Sequence, residues 1–360
     1  MRALSLLLLA ALLAGCTLGA PAPANPSSGA PAAKSKVTLV TYTDFGIQKA
    51  VLDDFTNATG YPVEVVSEGD AGETLNKVIL SADHPLGDAL FGVDNALIYR
   101  AKDHHVFAPY TPANASQIPA RFRSAFEENG TLLATPFDYG YVELNVDPAW
   151  LAMHNLSFPT DLAQIADATY APLTVVENPY TSSPGFAFLL ATVDRFGDNY
   201  PTFWSDFAKH GGKISTDWGT AYGSMFTQGY DSKGSLDRPI VLSYSTSPAY
   251  NPMNGYGNAT SLVLDVPKGA WFQVESVGVL AGAKNPDGAK ALIDYLLRPD
   301  VQAKGAFQQV TYPVVPGASI PAEYTLYAPE PKTPATLSPD QIDAHRDAWL
   351  AGWRAATGQA

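Results

Sequence analysis

The feature that most constrains this chain is an alternation of short apolar runs with amphipathic ones near its start. Val37 to Tyr42 reads as a strand. Phe45 to Thr59 reads as a helix, with Val51, Leu52 and Phe55 at helical spacing. Tyr61 to Ser67 is a second strand, Thr74 to Ala82 a second helix, and Asp88 to Gly92 a third strand. Such alternation predicts a parallel or mixed sheet with helices on both faces. In those sheets a ligand sits beyond the carboxyl ends of the strands. Asp44, Asp70 and Asp94 each follow a strand. Any one of them reads equally as a helix N-cap; three in successive units point to a cleft.

Two long apolar stretches, Pro136 to Val146 and Trp271 to Gly282, suit strands that cross between two lobes. With 360 residues the chain is long enough for both. The expected division is 37–140 plus 275–311 for one lobe and 141–274 plus 312–360 for the other. Asn285-Pro286 starts a helix with Ala289, Leu292, Ile293 and Leu296 on one face. Ser338-Pro339-Asp340-Gln341 is a capping box opening a last helix.

The lone cysteine, Cys16, closes an apolar run from Ala3 to Ala14. That run is too short to span a membrane as a mature helix and reads as an export signal. Leu13-Ala14-Gly15-Cys16 resembles the lipobox of exported lipoproteins, which implies cleavage before Cys16 and lipid on its sulfur. Residues 1–16 then read as a lipoprotein signal; a plain secretory signal that happens to contain a cysteine is the other reading. Residues 17–36, mostly Pro, Ala, Ser and Gly, are a tether. With no second cysteine, the fold is held by its core rather than by disulfides.

The net charge is −13, and no Lys/Arg cluster exists to neutralise phosphates, which argues against nucleic acid. An acidic surface favours a small cationic ligand. No nucleophile elbow, P-loop or dinucleotide fingerprint occurs, and the six histidines are scattered without metal-ligand spacing.

The candidate site begins at Ile240 to Tyr250. A short strand there runs into Tyr244, Ser245, Thr246, Ser247, Pro248, Ala249 and Tyr250. Aromatic faces flanking hydroxyls suit a flat polar ring; the same residues also suit a strand end whose tyrosines fill a core. Trp218, before a helical stretch from Ala221 to Phe226, is a stacking wall or a core residue. Ser182 and Ser183 precede Pro184 and an apolar helix, with Ser183 expected as the N-cap. Such a helix start attracts anions and offers a seat for phosphate, or it is capping alone.

These segments together resemble the periplasmic thiamine-binding proteins of bacterial ABC importers, within the type II substrate-binding fold. The resemblance rests on GVDNALI (92–98), PFDYGY (136–141), NPYTSSPG (178–185), DWGTAYG (217–223), LSYSTSPAY (242–250), QVE (273–275), TYPV (311–314) and HRDAWLAGW (345–353). It implies a two-lobed α/β protein, each lobe a mixed, mostly parallel sheet flanked by helices, with the ligand in the cleft between them. It implies thiamine, thiamine monophosphate or thiamine diphosphate as transported ligand and no cofactor. The partners implied are the permease and ATPase subunits of an importer. Asp70, Ala71, Ser182, Ser183, Trp218 and Tyr244 to Pro248 would contact the ligand, with Tyr250 beside them. Ala71 departs from a family glycine, and Thr43 and Val310 from family aromatics. The lipobox adds a lipid anchor at Cys16 on the outer face of the cytoplasmic membrane, and a monomer is expected. Two other readings stand beside it: a receptor of the same fold for another small ligand such as ferric ion, which a tyrosine pair such as Tyr244 and Tyr250 can hold, and a thiamine-degrading enzyme. An enzyme of that kind needs a nucleophile, and the single cysteine lies in the signal.

Overall fold

The structure, a computed structural model, describes residues 34–359. The signal at 1–16, the lipidation of Cys16 and nearly all of the tether lie outside the described residues. Lys34 to Lys36, grouped with the tether by composition, are held on the domain. The Lys34 N–H donates to the Gly60 carbonyl (2.9 Å), and the Asn285 side chain donates to the carbonyls of Ser35 and Lys36.

An eleven-stranded hydrogen-bonded sheet runs through both halves of the described chain, and a small hairpin, Glu127–Glu128 with Thr131–Leu132, stands apart from it. In one half, Val63–Ser67, Val37–Thr41 and Ala89–Asp94 lie parallel in that order. The middle consists of two long strands, Trp271–Leu280 and Thr135–Val146, paired antiparallel. In the other half Ile240–Tyr244 runs antiparallel to Thr135–Val146, followed by Thr174–Glu177 and Lys213–Ser215 in parallel. Both halves are clothed by helices, giving the expected two-lobed α/β architecture. The two central strands lie in the middle of the sheet and are buried on both faces, which is why they read as near-continuous apolar runs.

Local chemistry sets the helix starts. The first helix begins at Lys49, later than its apolar pattern suggests. The backbone N–H groups of Gly46 and Gln48 donate to the side chains of Gln309 and Gln308, which holds the preceding segment extended. The second begins early, at Ala71, because Asp70 caps it by accepting from the Ala71 N–H (2.6 Å). Ser182, not Ser183, caps Ser183–Phe196. With its own φ and ψ extended at −112° and 135°, Ser182 places its hydroxyl over the Gly185 N–H. The last helix, Pro339–Thr357, has the expected capping box between Ser338 and Gln341.

The lobes are closed on each other. The Glu73 N–H donates to the Thr181 carbonyl (2.9 Å) and the Trp218 N–H to Asp70 Oδ2 (3.1 Å). The Ser183 hydroxyl donates to the Asp94 carboxylate across the same seam. Gly72 permits this approach: a Cβ there would lie 2.7 Å from the Thr181 carbonyl oxygen.

Candidate functional site

The ends of the strands from both lobes open onto a cavity of about 230 Å³. Seven of the expected residues line it: Asp70, Ala71, Ser183, Trp218, Tyr244, Ser247 and Tyr250. Ser182, Ser245, Thr246 and Pro248 lie buried behind that surface. The Ser182 hydroxyl turns to Asp70. Those of Ser245 and Thr246 have no hydrogen-bond partner among the described residues.

One wall is aromatic. Trp218 stacks on Tyr222 at 5.0 Å with rings 10° apart, and Tyr244 lies tilted 6.4 Å away. The Trp218 indole is fixed from behind: its Nε1–H donates to Ser243 Oγ (3.1 Å), and Ser243 shares a hydrogen bond with Ser247 (2.8 Å). Tyr222 follows Trp218 by four residues in a wide helical turn, Gly219–Met225, so the two rings share a face.

The opposite wall departs from expectation. Thr43 does not reach the cavity; its hydroxyl donates to the Gly69 carbonyl (3.2 Å). Tyr42, one residue earlier, supplies the aromatic side chain there. Its hydroxyl donates to Glu275 (3.0 Å) and accepts from Gln309 Nε2 (2.7 Å). Val310 lines the same wall in a left-handed conformation, φ 57° and ψ 45°, at the end of the helix Pro299–Gln309. A β-branched residue there is strained.

Tyr42, Glu275, Gln308, Gln309 and Thr311 also line the cavity, and the sequence alone does not single them out as site residues. Tyr42 follows the first strand as Asp44 does, a signal the strand-end rule carries. Glu275 ends the QVE stretch of a long strand, where alternation alone assigns it no role. The glutamines carry no local signal, because their helix reaches the site only through the fold.

The electrostatics point one way. Asp44, Asp70 and Glu275 line the cavity, and no Lys, Arg or His is among its lining residues. Burial pushes the Asp70 carboxyl up to about 6, against hydrogen bonds from the Ala71 N–H, the Ser182 hydroxyl and the Trp218 N–H; Asp44 adds to the rise. Burial first, then Asp138, raises the Glu275 carboxyl well above its ordinary value. The acids expected to converge do so, in different ways. Asp44 and Asp70 face the cavity, whereas Asp94 is fully buried and accepts from the N–H groups of Ala96 (2.8 Å) and Leu97 (2.7 Å). The helix start at Ser183 is not a bare anion seat: the two serine hydroxyls face carboxylates, and Pro184 has no N–H to offer.

A profile of the bacterial extracellular solute-binding proteins matches residues 86–345. The chain belongs to that family. The thiamine-binding periplasmic protein of Salmonella typhimurium is 28% identical over 332 residues, covering 91% of this chain and 95% of the relative. A solved periplasmic thiamin binding protein superposes with a TM-score of 0.76 at 25% identity, over 90% of this chain and 96% of the other. Iron-bound HitA from Pseudomonas aeruginosa shares the fold at a TM-score of 0.68 and 17% identity, over 90% of this chain and 99% of the other. The two-lobed α/β architecture seen here is that of these solved structures, and the thiamine-binding relatives are described as binding proteins. Among the described residues no helix is long and apolar enough to cross a membrane.

Proposed function

We propose that the protein is an exported receptor that binds thiamine between its lobes and delivers it to the permease and ATPase subunits of an ABC importer. The observation that carries this reading is the cavity itself: aromatic rings on its walls, three carboxyl groups on its surface and no basic residue. Thiamine joins a permanently positive thiazolium to a flat aminopyrimidine. A cation over an aromatic face gains about 0.5–2 kcal/mol, more when desolvated. Asp70 offers the charge, and Trp218, Tyr222, Tyr244 and Tyr42 offer the faces. The thiamine-binding relatives support the same reading. The lobe boundaries that go with it are 37–140 plus 275–311 and 141–274 plus 312–360. In this reading lipid on Cys16 holds a monomer at the outer face of the cytoplasmic membrane.

Titration calorimetry with thiamine and, separately, with ferric citrate tests the assignment. Thiamine is expected to bind one per chain, and Trp218→Ala and Tyr244→Ala to weaken it at least tenfold, about 1.4 kcal/mol. Unchanged affinity in both variants overturns the site. Iron binding with a visible tyrosinate charge-transfer band, and no thiamine heat, would instead favour a ferric receptor.

A further inference from the structure

Glu275 sits at the centre of an acidic row. In the strand register it lies directly opposite Asp94 on one side and Asp138 on the other. Directly opposed residues on neighbouring strands point to one face with Cβ atoms about 5 Å apart. Asp138 is completely buried and Glu275 is 6% exposed. Asp94 is served by two backbone N–H groups and the Ser183 hydroxyl. Glu275 and Asp138 have no such set. Asp138 Oδ2 accepts from the Thr311 hydroxyl (3.0 Å), and its Oδ1 has no partner among the described residues. Glu275 accepts from the Tyr42 hydroxyl and, at 3.4 Å, from Gln273 Nε2.

The other groups bearing on Glu275 are acidic or phenolic: Asp70 and Asp94 raise it, and the Tyr244 hydroxyl lies within reach of Gln273. Two buried carboxyls this close do not both ionise without a cation beside them. Burial lifts Asp138 to about 7.

We propose that Glu275, on the cavity surface, and Asp138, buried behind it, are a charge-reading pair: they share one proton when the cavity is empty and release it to solvent when a flat heteroaromatic cation settles beside Glu275. The incoming charge takes the proton's place, so the pair goes from one negative charge to two and one proton leaves per ligand. An uncharged ligand of the same shape leaves the proton where it is. The pair therefore selects for permanent positive charge, whereas the aromatic wall selects for flatness. This deepens the functional reading above and rests on it for the identity of the cation.

Calorimetry of the wild-type protein with thiamine, in buffers of different ionisation enthalpy at neutral pH, reads the released proton directly. We expect roughly 0.5–1 proton released per thiamine, and a Kd that falls by up to about tenfold per pH unit between about pH 6 and 8. Glu275→Gln is expected to abolish the release and to cut the preference for thiamine over thiochrome, its uncharged flat relative, by about tenfold. Thermal unfolding of Glu275→Gln with and without thiamine checks that the variant is folded; the wild-type buffer series needs no variant. Thiamine binding without buffer dependence overturns the inference and leaves the functional reading standing. Release undiminished in Glu275→Gln also overturns it, by placing the proton on another group such as Asp70. If thiamine does not bind the wild-type protein, the functional reading falls and this inference falls with it.

Discussion

Asp70 and Trp218 join the two lobes at the cavity edge: the Trp218 N–H donates to Asp70 Oδ2 at 3.1 Å, while the Trp218 ring forms the wall beside it. The same carboxyl caps the helix Ala71–Leu80. One side chain thus starts a helix, closes the cleft and presents charge to the cavity. Asp70→Ala is expected to weaken thiamine binding by more than tenfold and to shift the ligand-free protein toward a more open shape. Calorimetry and small-angle scattering measure the two effects. Loss of affinity with no change in radius of gyration would separate charge from closure.

The buried carboxyls give the ligand-free protein an unusual pH response. Asp70 rises to about 6, Asp138 to about 7 and Glu143 to about 9, each chiefly through burial. A carboxyl with a raised folded-state value binds more protons folded than unfolded, so stability falls as pH rises through the interval between the two values. Here the interval runs from about 4 to about 9. The ligand-free protein is expected to melt at a higher temperature near pH 5.5 than near pH 8, and saturating thiamine to narrow the difference. Differential scanning fluorimetry across that range checks it; a melting temperature that climbs steadily to pH 8 contradicts it.

Ser243 positions the wall without lining the cavity. Its hydroxyl accepts from the Trp218 indole and bonds Ser247. Ser243→Ala leaves the indole N–H without that acceptor, a loss of about 1–3 kcal/mol. Thiamine affinity is expected to drop several-fold, mainly through faster dissociation in stopped-flow fluorescence. Ser247→Ala should cost less, since the indole keeps its partner.

The helix start at Ser183 faces Asp70 and Asp94 through its serine hydroxyls. Phosphate placed there meets carboxylates and no Lys or Arg. Unphosphorylated thiamine is therefore expected to bind about tenfold more tightly than thiamine diphosphate, about 1.4 kcal/mol. Competition calorimetry decides, and tighter binding of the diphosphate would show that the helix dipole outweighs those charges.

Val310 holds a left-handed conformation that costs a non-glycine residue about 1–2 kcal/mol. Val310→Gly is expected to raise the midpoint of urea unfolding, and Val310→Pro to lower it sharply, since proline cannot take φ 57°. A lowered midpoint for the glycine variant would mean that the side chain's packing outweighs its strain.

Much of this was legible in the sequence because it is local. Alternating strands and helices gave the layered sheet, Ser338 with Gln341 gave the last helix, and the tyrosines and hydroxyls after Leu242 marked one wall. The helix cap moved from Ser183 to Ser182 because Ser183 is engaged across the cleft by Asp94, 89 positions away. The orientation of the aromatic ring on the wall beside Thr43 has no local signal for the same reason: Tyr42 is turned inward by Glu275 and Gln309, partners more than two hundred residues distant. The pairing of Glu275 with Asp138 depends on strand register, which no local pattern in either strand reveals.

The uninterrupted sheet has a mechanical consequence. Trp271–Leu280 and Thr135–Val146 are laced together along most of their length, so the join between the lobes behaves as a two-ply leaf spring. Sliding one lobe past the other would break that lacing, whereas bending leaves it whole. If the cleft opens by bending, the contacts that part are those across the seam, at Glu73 with Thr181, Asp70 with Trp218, Asn76 with Tyr180 and Asp94 with Ser183, while the spine keeps its bonds.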